Sequence, residues 1–523
     1  MNERMSKRSI LRKTFQFGGL TLISRFLGIA REMLTVRLFG FGAISDAFIT
    51  AFRIPNSLRK VFAEGALTSA FVPSFIKTVK EDGKPRANKL MTTAMIFFQL
   101  VLLLLSILVF ICPRFVVSLL ASGFSEEQFS YATKFVRILF PFIFLISAST
   151  LLSAALQAVN SFFMIAFAPI ILNIVFLASL TVCLYFKLPL WVYCIGILIG
   201  GILQFFCYLF VYFKHGYSFA RIDEQSISDF KKVIKKFGNC LFAVSVIEIN
   251  IWIDCNVASY LETGSISAIN YGTTFMRIPL GLFAIGFATV LLTHLSRTVI
   301  YAPKRLSFYL LESTKLNFWV SIPASVFLIF VSEKLFSTLL LSNSGMSAQI
   351  TRASWVLTIF ALGIVFFSWN RVLTNIFYSF HDTWTPTYIA ICATLVNFSF
   401  NMISLFTFGK FAIYGIAMST VLSGLATSIL SFWFLHEKHK ASLHLKRFGI
   451  FLLKALFQLL VGFTFFYMTY LAIFHLLENC RFFNFFSIGF GYWFIVCPLC
   501  LLLFLFLFFT RKSFGLKIYF LDR

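Results

Sequence analysis

The chain is 523 residues long, 59% hydrophobic and only 12% charged, with a formal net charge of +25. Soluble domains carry about a quarter charged residues, so that class is excluded. Nucleic-acid binding is excluded too, because the surplus Lys and Arg are confined to short loops between apolar runs, the positive-inside pattern of membrane proteins. The short alternating segments of a transmembrane barrel are absent. The expected fold class is an all-α polytopic membrane protein.

At the start, Arg4, Lys7, Arg8, Arg12 and Lys13 imitate the basic region of a signal peptide. The apolar segment that follows is interrupted by Arg25 and Arg31, so it reads as a retained first helix. From there, apolar runs between polar breaks predict about fourteen transmembrane helices. The first seven run over 12–38, 45–76, 90–112, 131–158, 163–186, 189–213 and 233–261. The second seven run over 267–298, 314–341, 350–380, 385–408, 411–436, 447–475 and 485–510. With a cytoplasmic N-terminus, the basic linkers Lys77 to Lys89, Lys214 to Lys236, Arg297 to Lys315 and His436 to Arg447, and the tail from Arg511, all fall inside. An even helix count is what preserves that alternation, which places both termini in the cytoplasm.

The sequence also echoes itself. Phe52-Arg53-Ile54-Pro55 returns as Met276-Arg277-Ile278-Pro279, 224 residues on, and the same offset pairs Gly40 with Gly264 and Asp46 with Asn270. Helices two and eight start in the same direction, so the repeat is parallel, about an axis along the membrane normal. The domains expected are an N-lobe at 1–218 (helices 1–6), a C-lobe at 219–440 (helices 7–12), and 441–523 with two further helices and a basic tail. Pro55 and Pro279 lie inside their helices, where each removes a backbone hydrogen bond and bends the helix.

Few residues suggest catalysis. The 72 Phe are packing and lipid-facing bulk. Cys497 and Cys500 sit within an apolar run and read as small apolar residues. His436, His439 and His444 share a loop with Lys438, Lys440, Lys446 and Arg447, which favours a solvated basic loop over a metal site. No P-loop, GxSxG or HExxH occurs, so no nucleotide hydrolysis or enzymatic activity is expected.

Ser24 to Pro73 is different, because it brings Arg25, Arg31, Glu32, Arg37, Asp46, Arg53, Arg59 and Glu64 into membrane helices. An intramembrane Arg or Asp costs about 2.5–3.5 kcal/mol on insertion scales, so these charges call for a hydrated cavity, a charged ligand or ion pairs between helices. Arg25 and Glu32 share a face, with Gly28 between them leaving room for close approach. Arg277 on the eighth helix is a further cation. Cations outnumber anions, and Arg suits bidentate phosphate recognition. A diphosphate would satisfy the surplus.

These residues spell S-R-x-L-G-x-x-R-[DE], F-G, D-A-F, F-[RK]-[IL]-P-N, L-R-[RK], F-A-E-G-A and A-F-V-P. In that order they resemble the opening of the MurJ/MviN proteins, bacterial lipid II flippases of the multidrug/oligosaccharidyl-lipid/polysaccharide exporter superfamily. The resemblance implies two six-helix lobes around a central cationic cavity, with the last two helices forming a groove for the undecaprenyl tail. The cargo it implies is lipid II, the undecaprenyl-diphosphate-linked peptidoglycan precursor. Transport would run from the cytoplasmic to the periplasmic leaflet of the bacterial inner membrane, for cell-wall biogenesis and cell shape. Membrane lipids, and cell-wall synthesis or division proteins, are the other partners implied. Arg25, Arg31, Asp46 and Arg59 match charged family positions, and Glu32 stands where the family usually has Asp. Thr274 occupies the place of the arginine in the family's Y-A-x-R-[LIM], and Arg277, one turn on, is the candidate replacement.

No cofactor is expected beyond Na⁺. Asp254, Asn397, Asn401 and Thr420 resemble the family's Na⁺ positions, with Asn401 where some members have Asp, and their oxygens suit the ion. The same residues also suit plain interhelical hydrogen bonds, and Glu248 fits either arrangement. Gln157 to Phe163 and Tyr378 to Trp384 read as equivalent hairpins, and Asn370 and Arg371 as cavity-facing. The leading reading is a lipid II flippase working by alternating access. The alternatives are a cation-coupled multidrug exporter, or an exporter of another polyprenyl-linked oligosaccharide, from the same superfamily. A membrane glycosyltransferase or polymerase would need longer outer loops than this chain has.

Overall fold

A computed structural model describes residues 7–522, apart from 61–65, 160, 282–286, 288–290, 292–294, 296–298, 300, 302–304, 341–346, 381, 479–488 and 490. Among the described residues the regular structure is entirely helical, and ten helices are long and apolar enough to cross a membrane. The chain divides into two compact units, Met1–Ser267 and Ala268–Arg523. That contact-based division falls after the seventh predicted helix, whereas the boundary at 218/219 follows the repeat.

The first unit contains α1 (Lys7–Phe39), α2 (Ala43–Arg59), α3 (Ala66–Glu81), α4 (Gly83–Ile111), α5 (Pro113–Leu120), α6 (Glu126–Leu139), α7 (Phe142–Ala158), α8 (Phe162–Phe186), α9 (Leu190–Lys214) and α10 (Glu224–Ser259). The run expected as one helix over 131–158 is one candidate span, Glu126–Gln157, interrupted at Phe140 and Pro141 into α6 and α7. Proline has no N–H to continue the ladder, a break that hydropathy does not register. On α9, Gly196 lets α8 come so near that a Cβ there would collide with the Ser179 side chain, the close approach small residues permit in membranes. The outer faces are apolar: Leu100, Leu103, Leu104, Ile107 and Ile111 are exposed along α4, as a lipid-facing helix requires.

One end of α10 is stitched to α4. Asp223 caps α10 through a bond from Ser226 N (2.8 Å) and receives Lys89 Nζ at 2.8 Å. Arg86 reaches both Asp223 and Asp229, the latter at 2.7 Å. Asn88 pairs with Ser218 in both directions, and Thr92 Oγ1 accepts from Ala220 N. At its other end α10 meets the α5–α6 turn, where Gly123 N donates to Ser259 Oγ and Ser122 bonds Asn256 and Tyr260.

α11 (Ser265–Pro279) begins at the end of the first unit. The echo in the sequence is visible in the backbone. Gly40 (φ 59°) precedes α2 and Gly264 (φ 94°) precedes α11, a left-handed conformation that favours glycine. The second unit continues with α12 (Leu306–Leu339), α13 (Ser347–Ser379), α14 (Trp384–Thr407), α15 (Ala412–His439), α16 (Leu445–Leu477) and α17 (Gly491–Thr510). α13 packs on α12 and α15, and α14 on α15. The last two helices join α12 through Trp319, Phe451, Leu459, Leu499, Leu503 and Leu507. The segment after Arg511, read from sequence as a basic tail, folds back. Leu516 and Ile518 are fully buried, and Tyr519 N donates to the buried Glu312.

Candidate functional site

On α1, Gly28 has open space around it, and Arg25 and Arg31 are partly exposed. Arg31 Nη2 pairs with its chain neighbour Glu32. Arg31 Nη1 also donates to Asn173 Oδ1 on α8 at 3.3 Å, and its guanidinium lies 5.6 Å from the Phe176 ring centre. The Asn173 amide donates back to Ser24 O and Oγ, both at 3.2 Å. Asn173 thus holds the α1 arginine in place from another helix, and nothing in its apolar sequence surroundings signalled that.

α2 carries a continuous polar stripe at positions 46, 50, 53, 57 and 60, the spacing that keeps side chains on one helical face. At its start, Asp46 is 2% exposed and accepts from Gly264 N (2.6 Å), Ser267 N (2.8 Å) and Ser267 Oγ (2.8 Å). Its described partners are therefore the first amides of α11 and a hydroxyl, where ion-pair reasoning had offered the arginines. A carboxylate at a helix N-terminus satisfies orphan N–H groups and complements the dipole.

The remaining positions of the stripe face α10, which runs the other way. Thr50 Oγ1 lies 3.8 Å from Cys255 Sγ, and Arg53 Nη1 donates to Ile251 O at 3.4 Å. Ser57 Oγ donates to Glu248 Oε2 at 2.6 Å while accepting from Trp252 Nε1 at 3.1 Å. Lys60 Nζ donates to Glu248 Oε1 at 2.9 Å. Glu248 therefore belongs to this seam. Arg59 lies off the stripe, its guanidinium on Asn56 Oδ1 at 3.0 and 3.2 Å. Lys60 was not singled out from the sequence, yet its place seven residues after Arg53 carried the signal. Glu64 lies outside the described residues.

In the second unit, Arg277 is exposed on α11 and Thr274 is half-buried one turn earlier. Asn397, Asn401 and Thr420 come together between α14 and α15. Asn401 Nδ2 donates to Asn397 Oδ1 at 2.9 Å, Ser419 Oγ donates to Asn401 Oδ1, and Asn397 Nδ2 reaches Ser419 Oγ and Thr420 Oγ1 at 3.4 and 3.5 Å. The two asparagines are fully buried. The ladder satisfies them between two helices, and Ser419 is its unanticipated member. Asp254 is half-buried on α10, in the other unit. Asn370 bonds Gly424 O (2.8 Å) and Ser428 (2.7 Å), tying α13 to α15, and Arg371 is exposed. His439 stacks on Phe380 at 3.7 Å, and among the described residues no group of His, Cys, Asp and Glu is placed to hold a metal ion.

Comparison with known proteins agrees along the chain. The family described as "Lipid II flippase MurJ" matches residues 35–489. A lipid II flippase MurJ of Burkholderia cenocepacia is 31% identical over 404 residues, 74% of this chain and 77% of its own. A probable lipid II flippase MurJ of Buchnera aphidicola subsp. Schizaphis graminum is 30% identical over 479 residues, 90% of each. Among solved structures, a lipid II flippase MurJ in an inward closed conformation superposes with a TM-score of 0.76 at 27% identity, covering 95% of this chain and 99% of that one. An inward-facing multidrug resistance transporter of the MATE family and MOP superfamily shares the fold at 12% identity, with a TM-score of 0.64 over 81% of this chain and 94% of its own. This multi-pass membrane protein belongs to the lipid II flippase MurJ family.

Proposed function

We propose that this protein is a lipid II transporter, not an enzyme, and that it moves lipid II from the cytoplasmic to the periplasmic leaflet by alternating access. The observation that carries the reading is the charge balance on α1 and α2. Arg25, Arg31, Arg37, Arg53 and Arg59 outnumber the two anions between residues 25 and 59, Asp46 is taken up by the start of α11, Glu32 pairs with Arg31, and Lys60 pairs with Glu248 of α10. A hydrated cavity with such a surplus selects an anion, and the diphosphate of lipid II supplies one. It disfavours the organic cations that a drug exporter carries.

The site comprises Arg25, Arg31, Glu32, Arg53, Arg59, Glu64 and Arg277, with Asp46 closing the α2–α11 corner. The moving bodies are the lobes 1–218 and 219–440, and 441–523 provides the groove for the lipid tail. The α2–α10 seam then opens and closes during each cycle. The basic loops support an inner-membrane orientation with both termini cytoplasmic. Na⁺ is the candidate coupling ion, supported by the oxygens gathered at Asn397, Asn401 and Thr420. If it couples, Asp254→Asn alters the Na⁺ dependence of transport, and an unchanged response removes the ion from the cycle.

The test is leaflet accessibility of lipid II in cells depleted of the protein. Lipid II should become inaccessible from outside and recover with the parent chain. Arg25→Ala and Arg31→Ala should insert normally and fail to rescue. Full rescue by both at normal expression would refute the cationic cavity.

A further inference from the structure

We propose that Lys60 is an additional anion-binding group of the carrier and that Glu248 is its built-in competitor. The carboxylate holds the ammonium at 2.9 Å, and it yields the ammonium to a diphosphate when cargo arrives. This rests on the lipid-diphosphate reading given above.

The two ends of the pair are built differently. Glu248 is 5% exposed and is anchored twice, by Ser57 Oγ on Oε2 at 2.6 Å and by Lys60 Nζ on Oε1 at 2.9 Å. Ser57 is itself held by Trp252 Nε1 at 3.1 Å. If Lys60 leaves, Glu248 keeps a strong hydrogen bond from a fixed hydroxyl. Lys60 is the mobile partner. Its side chain is 28% exposed against 7% for Glu248, and a flexible four-carbon stem carries a compact charge able to re-aim.

Lys60 also stands where an arriving anion would be drawn. It ends the polar stripe of α2, next to Arg59 and seven residues after Arg53. At the end of α2 the Lys60 N–H is shared between Asn56 O and Ser57 O. A diphosphate offers more charge and more acceptor oxygens than one carboxylate. Exchange of Lys60 from Glu248 to the cargo therefore loosens the cross-link between α2 and α10 as the site fills. Binding energy is converted into release of a seam that must open for transport, the differential interaction that any ligand-driven shift needs.

The experiment measures binding of undecaprenyl diphosphate, with undecaprenol as the uncharged control, to the full-length protein in detergent. Glu248→Gln keeps an acceptor for Ser57 and removes the competing charge, so it should bind undecaprenyl diphosphate about tenfold more tightly than the parent. Lys60→Ala should bind about tenfold more weakly, and Lys60→Arg should retain affinity. In Lys60→Ala/Glu248→Gln the gain from Glu248→Gln should vanish, because it acts through Lys60. Undecaprenol binding should be equal in all variants. A Glu248→Gln protein that binds undecaprenyl diphosphate no more tightly than the parent, or a double variant that keeps the gain, overturns the exchange. A parent chain that does not distinguish undecaprenyl diphosphate from undecaprenol overturns the cargo reading beneath it.

Discussion

Asp46 and Gly264, 218 residues apart, meet through a 2.6 Å bond from the glycine amide to the carboxylate, and Ser267 adds bonds to the other oxygen. Among the described residues a buried carboxylate is thereby stabilised by the N–H groups at the start of a helix, with no cation beside it. Asp46→Ala leaves those donors buried and unmatched, a loss on the order of 2–4 kcal/mol. Asp46→Asn keeps one acceptor oxygen and should lose about half as much. Thermal unfolding of the purified variants measures the order, and equal melting of both variants with the parent would show that the cap contributes nothing.

A second buried node holds the C-terminal helices. Gln458 is fully buried, accepts from Trp319 Nε1 at 3.1 Å and donates to Leu507 O at 2.7 Å and Thr510 Oγ1 at 2.9 Å. It links α12, α16 and α17. Gln458→Leu has nearly the same volume but strands the indole N–H and a carbonyl, at a cost of about 1–3 kcal/mol. Its melting temperature should fall clearly below that of the parent, whereas Leu456→Ala, which removes a half-exposed apolar side chain beside it, should fall less. The opposite order would assign the junction to apolar packing alone.

These cases show why some features were legible in the sequence and others were not. Each of the fourteen apolar stretches overlaps a described helix, and ten described spans have the length and hydropathy that lipid imposes. The repeat was legible in the Arg-Ile-Pro echo at a fixed offset, and the same offset pairs Gly40 with Gly264, both at positive φ. The break at Pro141 was missed because it lies in an otherwise apolar run. Lys60 with Glu248 and Arg31 with Asn173 were not legible, since their partners are 188 and 142 residues away and only tertiary packing selects them. The charges of α1 and α2 were apparent at once, but their partners were not. Likewise Leu516 and Ile518, in a short charged tail, gave too little pattern to show that they are buried.

The clamp between α4 and α10 should give a pH signature. The Lys89 ammonium, then the Ser226 amide, hold the Asp223 carboxyl well below the usual carboxylate range. A carboxyl depressed in the folded state stabilises it above its unfolded value of about 3.9, and the contribution is lost as pH falls through the lower folded value. Asp223→Asn should therefore melt below the parent by a constant interval above about pH 5, and the interval should shrink below about pH 4. An interval that is flat down to acid unfolding would show that the charge of Asp223 is not what fastens α10.

On the eighth predicted helix, the resemblance to the flippase family implies an arginine where this chain has Thr274. Thr274 occupies that position, and Arg277 lies one turn later on α11, exposed, in the Arg-Ile-Pro echo of Arg53 to Pro55. Residues three apart present their side chains on neighbouring parts of one face, and the longer arginine spans the remaining offset. If Arg277 supplies the charge, Arg277→Ala should abolish rescue of a flippase-depleted strain and Thr274→Ala should be mild. Thr274→Arg combined with Arg277→Ala should restore part of the function, because it returns the cation to the position that the family resemblance implies. Severe loss in Thr274→Ala with full rescue by Arg277→Ala would reject compensation, and would place this chain's headgroup contacts on the arginines of α1 and α2 alone.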